Sequence, residues 1–210
     1  MFLEPSYDSQ RSGWIEVICG SMFSGKTEEL IRRIKRAEIA NQSIKVFKPA
    51  IDTRYDAEDV VSHDDNVISS TPVSKPKFIL DLVENISVVG LDEAQFFDDS
   101  IINVVLKIVE DGKRVIIAGL DMDFTGKPFG PMPHFLAIAE YITKVHAICQ
   151  HCGNLATHSY RKEQGGGQVV LGEKDLYEAR CRYCYSMGNI LNLKVSHDSS
   201  KNIKSTAKIN

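Results

Sequence analysis

No stretch of the 210-residue chain is apolar for long enough to cross a membrane. The longest apolar runs are about as long as the six-residue run Val115–Leu120, whereas a transmembrane helix needs about 20 apolar residues. The N-terminal segment, MFLEPSYDSQRSG, contains no apolar core of signal-peptide length. We therefore expect a cytoplasmic protein that has no membrane as a partner.

The chain also lacks a strong excess of either charge. Its 25 Lys and Arg residues stand against 28 Asp and Glu residues, which gives a formal net charge of −3. A dedicated nucleic-acid-binding protein normally carries a basic face, so this balance argues against nucleic acid as a partner. Hydrophobic residues make up 43% of the chain, which excludes intrinsic disorder and allows a real core. This composition is typical of a soluble enzyme.

Cysteine is scarce, but four of the five cysteines form two Cys-x-x-Cys pairs, Cys149/Cys152 and Cys181/Cys184. Each pair can place two thiolates on one turn, and two such turns together provide the four sulfur ligands of a zinc site. Disulfides are rare in a reducing compartment, and neither pair has the strand–helix context of a thioredoxin-like redox site. We therefore predict a structural zinc ion bound by these four residues. The remaining cysteine, Cys19, fits an apolar strand position.

The segment Gly20–Thr27 reads GSMFSGKT and matches the P-loop pattern GxxxxGK[ST]. An apolar strand, Trp14–Cys19, precedes it, and apolar residues at helical spacing follow it from about Thr27. Backbone N–H groups of such a loop surround a phosphate chain at the N-terminus of the helix. We expect Lys26 to contact the β- and γ-phosphates and the Thr27 hydroxyl to bind Mg²⁺. The predicted phosphate-binding residues of the loop are Gly20, Ser21, Met22, Phe23, Ser24, Gly25, Lys26 and Thr27.

An acidic pair, Asp92 and Glu93, ends a second buried strand, which is predicted over 86–92. An acid at the end of a neighbouring strand holds Mg²⁺ in P-loop proteins, and we assign this role to Asp92. Glu93 points to the other side of the strand end, where it could deprotonate a water or a substrate hydroxyl. These residues predict an enzyme that uses a nucleoside triphosphate and magnesium. A GTPase is disfavoured because the chain has no Asn-Lys-x-Asp segment.

Strands and helices alternate as far as about residue 143, which predicts an α/β fold of P-loop type with a parallel sheet covered on both faces. Further strands are predicted over 43–48, 67–73 and 115–120, helices over 75–85, 99–111 and 133–141, and a loop over 51–66. From about Lys144 the composition changes to cysteines, glycines and short strands. The predicted units are a flexible arm over 1–12, an ATP-binding domain over 13–143, a small zinc-binding domain of strands and loops over 144–193, and a disordered tail over 194–210.

The first predicted helix contains a basic run, Arg32–Arg36. Glu28 and Glu29 lie four residues before Arg32 and Arg33, a spacing that places opposite charges side by side on a helix. We therefore interpret the run as an ion-paired helix face and not as a nucleic-acid patch.

The combination of motifs resembles the type II thymidine kinases, the group shared by many bacteria and the animal cytosolic enzyme. It is carried by GSMFSGKT, by DEAQFF at 92–97, by the loop at 119–130 and by the four cysteines, and it extends from about Gly13 to Leu193. The resemblance implies transfer of the ATP γ-phosphate to the 5′-hydroxyl of thymidine, or of deoxyuridine, giving dTMP and ADP in nucleotide salvage. It also implies that Glu93 is the general base and that Asp52 and Arg54 lie near the phosphates.

The same resemblance implies a thymidine site covered by a loop, the lasso, which the zinc ion tethers. Backbone groups of this loop are implied to recognise the edge of the thymine base. The cofactors implied are ATP as donor, Mg²⁺ and structural Zn²⁺, and the family is typically a homotetramer inhibited by dTTP. The residues matched to the thymidine site are Met22, Phe96, Leu120, Phe124, Phe129, Gln168, Val169, Val170, Leu171, Gly172 and Tyr177.

Two other functions stay open on the residues alone. One is a P-loop ATPase whose zinc module binds DNA or a protein, but the segment 153–180 carries four basic and four acidic residues and so has no basic stripe. The other is a non-enzymatic nucleotide sensor, which would not need a glutamate directly after the magnesium acid. Dependence of ATP turnover on added thymidine separates these alternatives from a kinase.

Overall fold

The computed structural model describes residues 13–50, 59–61, 67–162 and 176–190. The strands in chain order are β1 (Trp14–Cys19), β2 (Ile44–Pro49), β3 (Asp59–Val61), β4 (Val67–Ser69), β5 (Thr71–Val73), β6 (Val88–Leu91), β7 (Arg114–Gly119), β8 (Tyr141–Lys144), β9 (Ala147–Ile148), β10 (Leu155–Ala156), β11 (His158–Arg161) and β12 (Tyr177–Arg180). The α-helices are α1 (Lys26–Ile39), α2 (Ser100–Glu110), α3 (Met132–Ile138) and α4 (182–190). Short 3₁₀ helices cover Pro76–Leu82 and Ala94–Phe96.

Six strands form one sheet in the order β5-β2-β6-β7-β1-β8, and every neighbouring pair is parallel. Because all six strands point the same way, β1, β6 and β7 end at one edge of the sheet. The P-loop follows β1 at this edge, and the acidic pair follows β6. The predicted α/β fold with a parallel sheet is therefore confirmed.

The central strands bury side chains on both faces. In β7, Val115 and Ile117 pack into the apolar cluster that contains α2, whereas Ile116 and Ala118 pack into the cluster that contains α1. This explains why the strand reads as a continuous apolar run and not as an alternating one. Helices α1 and α2 therefore cover opposite faces of the sheet.

Some predicted boundaries differ from the structure. The segment 67–73 forms two strands, because β4 pairs with β3 while β5 joins the edge of the large sheet, where Pro72 is tolerated. The predicted loop 51–66 therefore contains a strand, β3. The helix predicted over 75–85 is a 3₁₀ helix, and the helix predicted over 133–141 ends at Ile138, before β8 begins. The helix α4 was not predicted.

The basic run of α1 is ion-paired, as predicted, but one of its arginines is completely buried. Arg33 Nε contacts Glu29 at 2.8 Å, four residues away, and Arg32 Nε contacts the same carboxylate at 2.6 Å. Arg33 has a second partner that was not predicted, the buried Glu16. The Glu16 carboxylate also accepts a hydrogen bond from Arg114 Nε at 2.7 Å. Two guanidinium groups, one from α1 and one from β7, thus compensate the negative charge of one buried carboxylate of β1.

The strands that flank the clustered cysteines form two small antiparallel pairs, β9 with β10 and β11 with β12. Their apolar centre contains Ala147, Ala156 and Ala179 together with two of the cysteines, and Phe23 of the P-loop packs against it. The predicted arm 1–12 and tail 194–210 lie outside the described residues. Among the described residues, the structure has no helix of the length and apolarity that a membrane span requires.

Candidate active site

The P-loop residues form a closed turn between β1 and α1. Lys26 Nζ donates to the Ser21 carbonyl oxygen at 2.9 Å, and Ser24 Oγ donates to the same oxygen at 2.8 Å. Gly25 has a φ of +82°, in the left-handed region that glycine adopts without strain, and it is the residue from which α1 begins. The predicted phosphate-binding loop thus has the strand–turn–helix context that the motif requires.

Gly20 is required because another part of the backbone approaches it closely. A Cβ atom at this position would lie 2.3 Å from the Val145 carbonyl oxygen, which follows β8. The Val145 N–H in turn donates to the Cys19 carbonyl oxygen at 2.8 Å. Strands β1 and β8 therefore clamp the start of the loop, and a side chain at Gly20 would force them apart.

The two predicted magnesium residues lie side by side. Thr27 Oγ1 donates to Asp92 Oδ2 at 3.4 Å, across the space between the start of α1 and the end of β6. Asp92 is 6% exposed, and its backbone N–H donates to the Phe47 carbonyl oxygen at 3.0 Å. A hydroxyl and a carboxylate oxygen are hard ligands of the kind that Mg²⁺ prefers.

Glu93, the predicted general base, directly follows this acid and is partly exposed. Its backbone has a φ of +49°, and its N–H donates to Asp92 Oδ1 at 2.9 Å. Gln95 Nε2 donates to Glu93 Oε2 at 2.5 Å, while Gln95 Oε1 accepts a hydrogen bond from the Leu120 N–H at 2.9 Å. Gln95 was not among the predicted site residues. Its sequence signal is its place in the DEAQFF segment, and its contact with Leu120 depends on strand pairing.

The loop after β7, predicted to carry Phe124 and Phe129, is a tight turn. Asp123 Oδ1 accepts hydrogen bonds from the Thr125 N–H at 2.8 Å, from Thr125 Oγ1 at 2.7 Å and from the Lys127 N–H at 3.1 Å. This single carboxylate oxygen therefore holds the turn closed. As a result, Phe124 and Phe129 belong to a turn of defined conformation that follows the end of β7.

The aromatic residues matched to the thymidine site fall into two groups. The rings of Phe96 and Phe129 meet edge to face, with centroids 5.5 Å apart. The rings of Phe124 and Tyr177 both contact Arg161. Its guanidinium carbon lies 4.3 Å from the Phe124 ring centroid and 5.7 Å from the Tyr177 ring centroid. Arg161 was not among the predicted site residues, because nothing in the local sequence distinguishes it from a surface arginine.

Two more of the matched residues are placed at this edge of the sheet. Leu120, at the end of β7, is 9% exposed, and the Met22 N–H donates to Ser159 Oγ of β11 at 3.0 Å. The remaining site predictions, Asp52, Arg54 and the segment from Gln168 to Gly172, lie outside the described residues. The described part of the predicted site is therefore one neighbourhood, built on the ends of β1, β6 and β7 and on the strands β11 and β12.

The four predicted zinc ligands form a compact cluster. All four Sγ atoms, those of Cys149, Cys152, Cys181 and Cys184, lie within 4.8 Å of one another, and the Cys152 and Cys181 sulfurs are 3.6 Å apart. Sulfurs bound to zinc at about 2.3 Å in a tetrahedron stand about 3.8 Å apart, so the donor set fits the metal. Burial raises the pKa of the Cys149 thiol, but hydrogen bonds from the backbone around Cys181, His151 and Cys152 outweigh burial and lower it to about 6.

The strand, the phosphate loop and the adjoining hydroxyl–carboxylate pair define a P-loop protein of the α/β class. The family model "Thymidine kinase" matches residues 13–185. The thymidine kinase of Porphyromonas gingivalis strain W83 is 59% identical over 178 residues, covering 85% of this chain and 87% of that one. The thymidine kinase of Rhodothermus sp. is 59% identical over 82% of this chain and 81% of its own, and that of Bacteroides thetaiotaomicron is 60% identical over 85% and 89%. The chain belongs to the thymidine kinase family, which confirms the resemblance stated from the motifs.

Proposed function

We propose that the protein is a thymidine kinase, which transfers the γ-phosphate of ATP to the 5′-hydroxyl of thymidine and yields dTMP and ADP for nucleotide salvage. The observation that carries the proposal is the juxtaposition, in a member of this family, of the phosphate loop with the end of β6. There Thr27 and Asp92 are 3.4 Å apart and Glu93 is the next residue. A phosphate donor and a hydroxyl acceptor can meet between these elements.

In this reaction the O5′–Pγ bond forms and the bond from Pγ to the β-phosphate oxygen breaks, so ADP leaves. The N–H groups of Gly20–Thr27 bind the phosphates, and Lys26 places positive charge at the γ-phosphate. Thr27 and Asp92 would hold Mg²⁺, which neutralises phosphate charge when bound. Glu93 accepts the proton of the 5′-hydroxyl, because a neutral alcohol is a poor nucleophile. Asp52 and Arg54 belong near the phosphates in the same proposal.

The nucleoside half of the site rests on the pocket residues. Phe96, Phe129 and Leu120 offer apolar surface at the ends of β6 and β7, and Met22 reaches it from the phosphate loop. Phe124 and Tyr177, with Arg161 between them, form the other wall, and the residues 168–172 would complete it over the thymine edge. The four cysteines would hold Zn²⁺, which fixes both Cys-x-x-Cys turns, and with them β12, when bound.

The proposal extends to organisation and regulation. The ATP-binding domain covers 13–143 and the zinc-binding domain 144–193, since β8 ends at Lys144 and the later strands belong to separate two-stranded sheets. The arm 1–12 and the tail 194–210 stand outside the catalytic unit. Following the family resemblance, we also propose a homotetramer inhibited by dTTP. We place the reaction in the cytoplasm, where ATP is supplied and thiols stay reduced.

The test is ADP release by the purified protein with Mg²⁺ and a panel of nucleosides. We expect turnover that requires thymidine, accepts deoxyuridine more weakly, and forms dTMP in equal amount to ADP. Lys26→Ala is the matched control, and its turnover should be lower by about 10²-fold or more because the charge at the γ-phosphate is lost. ADP release that is the same without any nucleoside would contradict the proposal and favour an ATPase.

A further inference from the structure

Gln95 is a buried amide whose orientation its neighbours determine. It is 2% exposed, and its side chain makes two hydrogen bonds in opposite directions, to the Leu120 N–H at 2.9 Å and to Glu93 Oε2 at 2.5 Å. A backbone N–H can only donate, so the atom facing Leu120 must be the amide oxygen. The NH₂ group must then face Glu93, and it can only donate to that carboxylate.

Close packing holds this amide in place. A Cβ atom at Gly119 would lie 2.8 Å from Gln95 Oε1 and 2.7 Å from Met132 Sδ. A Cβ atom at Gly130 would lie 2.2 Å from the Gln95 carbonyl oxygen. The absence of side chains at two glycines thus creates the space that Gln95 fills, and any side chain at Gly119 would displace the amide.

We propose that Gln95 is the positioning residue of the general base, so that the inference rests on the proposed function. Glu93 has a backbone conformation that non-glycine residues seldom adopt and a flexible side chain, so its carboxylate needs a second anchor. Gln95 supplies that anchor and connects it to the backbone of Leu120, a residue of the proposed nucleoside site. One side chain therefore sets the position of the base relative to the substrate pocket.

The hydrogen bond has a consequence for catalysis. It holds the Glu93 carboxylate where the 5′-hydroxyl must deliver its proton, and a displacement of about 1 Å at a reacting centre can cost about 10²-fold in rate. The proton moves from the 5′-oxygen to Glu93, and Gln95 neither gains nor loses one. Loss of the donor should therefore reduce kcat and leave the KM for ATP nearly unchanged. A purely structural role would reduce stability without this split between kcat and KM.

The first test is the steady-state kinetics of Gln95→Met, with ATP and thymidine each varied in turn at saturating Mg²⁺. Methionine has a similar shape but cannot donate or accept these hydrogen bonds. We expect kcat to fall by about 10- to 100-fold, the range that a hydrogen bond to a charged group corresponds to. We expect the KM for ATP to stay nearly unchanged, because the two side-chain hydrogen bonds of Gln95 are made with Glu93 and Leu120 and not with the phosphate loop.

Gly119→Ala provides a second route that leaves Gln95 itself in the chain. Its methyl group should displace the amide, and we expect the same loss of kcat with a nearly unchanged KM for ATP. Gly90→Ala, on the adjacent β6, is the matched control, since its Cβ would meet Val46 and Ile34 at 3.1 and 3.2 Å without touching Gln95. We expect Gly90→Ala to lower the urea midpoint of unfolding and to leave kcat within a few-fold of the parent value.

The outcomes separate this inference from the proposed function. A parent enzyme without thymidine-dependent ADP release overturns both. An active parent together with an unchanged kcat in folded Gln95→Met overturns the positioning role alone, and where Gln95→Met does not fold, Gly119→Ala decides in the same way. An equal loss of kcat in Gly90→Ala would show a general packing effect and would also overturn the inference.

Discussion

The backbone N–H of Met22 donates to Ser159 Oγ at 3.0 Å, which ties the phosphate loop to a strand 137 residues further along the chain. The next residue, Phe23, has a φ of +63° and packs against the apolar centre that contains Cys149 and Cys181. The unit formed by β9 to β12 and the four clustered cysteines therefore contacts the phosphate loop as well as residues matched to the thymidine site. A change at the cysteines should affect both halves of the site.

Cys181→Ser tests this dependence on the metal. We expect about one zinc per chain in the parent and much less in the variant, because serine is a poor zinc ligand. We expect kcat/KM for thymidine to fall by about 100-fold, the effect of a displacement of about 1 Å at a reacting centre. The measurements are metal analysis and steady-state kinetics with thymidine as the varied substrate.

Cys19→Ser is the control for this change, since Cys19 lies in β1 outside the cluster and its replacement should leave the zinc content unchanged. Burial, as the largest effect, raises the pKa of the Cys19 thiol to about 11, so it stays protonated and inert. A parent protein without zinc, with all four clustered thiols reactive in the native state, would refute the metal prediction.

Ser159→Ala should weaken ATP binding without affecting the metal. The substitution leaves the Met22 N–H without its acceptor in a partly buried loop, which costs about 1–3 kcal/mol. We expect the KM for ATP to rise by about 10-fold in steady-state assays. Ser186→Ala is a suitable comparison, because that hydroxyl is exposed and donates within α4 to the Arg182 carbonyl oxygen. An equal KM for ATP in the two variants would show that the hydrogen bond from Met22 to Ser159 does not contribute to ATP binding.

Glu93→Gln and Asp92→Asn should reduce activity for different reasons. Glutamine keeps the size of the base but cannot accept a proton, so kcat should fall by about 10²–10⁴ while substrate binding changes little. Asp92→Asn should instead weaken magnesium binding, and higher Mg²⁺ should partly restore activity. The assay is thymidine phosphorylation by folded protein across a Mg²⁺ series. Activity of Glu93→Gln within a few-fold of the parent would remove this residue as the base.

We predict that the protein loses stability in mild acid because of His158. Burial, as the largest effect, lowers the pKa of its imidazole; Arg182 and Lys144 lower it further, while Asp121 opposes them. The folded protein therefore binds this proton less readily than the unfolded chain, whose histidine pKa is about 6.5. Above that pH the group contributes no pH dependence, and as the pH falls below it the free energy of unfolding decreases.

Urea unfolding at pH 7.5 and pH 5 measures this effect. We expect His158→Gln to lose less stability between the two pH values than the parent loses. His134→Gln should behave like the parent, because His134 is exposed. An identical pH dependence in parent and His158→Gln would contradict the assignment.

Local patterns explain what the sequence predicted well. The strand, phosphate loop and helix over 14–39 follow from apolar periodicity and one motif, and the cysteine spacing already indicates a four-sulfur site. The contacts of Gln95 with Leu120 and of Arg161 with Phe124 depend on segments far apart in the chain, so no local pattern reveals them. The burial of Arg33 was missed for a related reason, since charged residues are rarely buried without a partner that only the fold supplies.

The order of strands in the large sheet has a consequence for how the chain is made. β1 leaves the ribosome first, yet its neighbours β7 and β8 begin only at Arg114 and Tyr141. Until then both hydrogen-bonding edges of an apolar strand have no native partner, and such edges are prone to aberrant pairing. The early part of the chain must therefore be kept apart from other chains while the rest is synthesised. The phosphate loop, which β8 clamps through Val145, acquires its final shape only after synthesis has passed this residue.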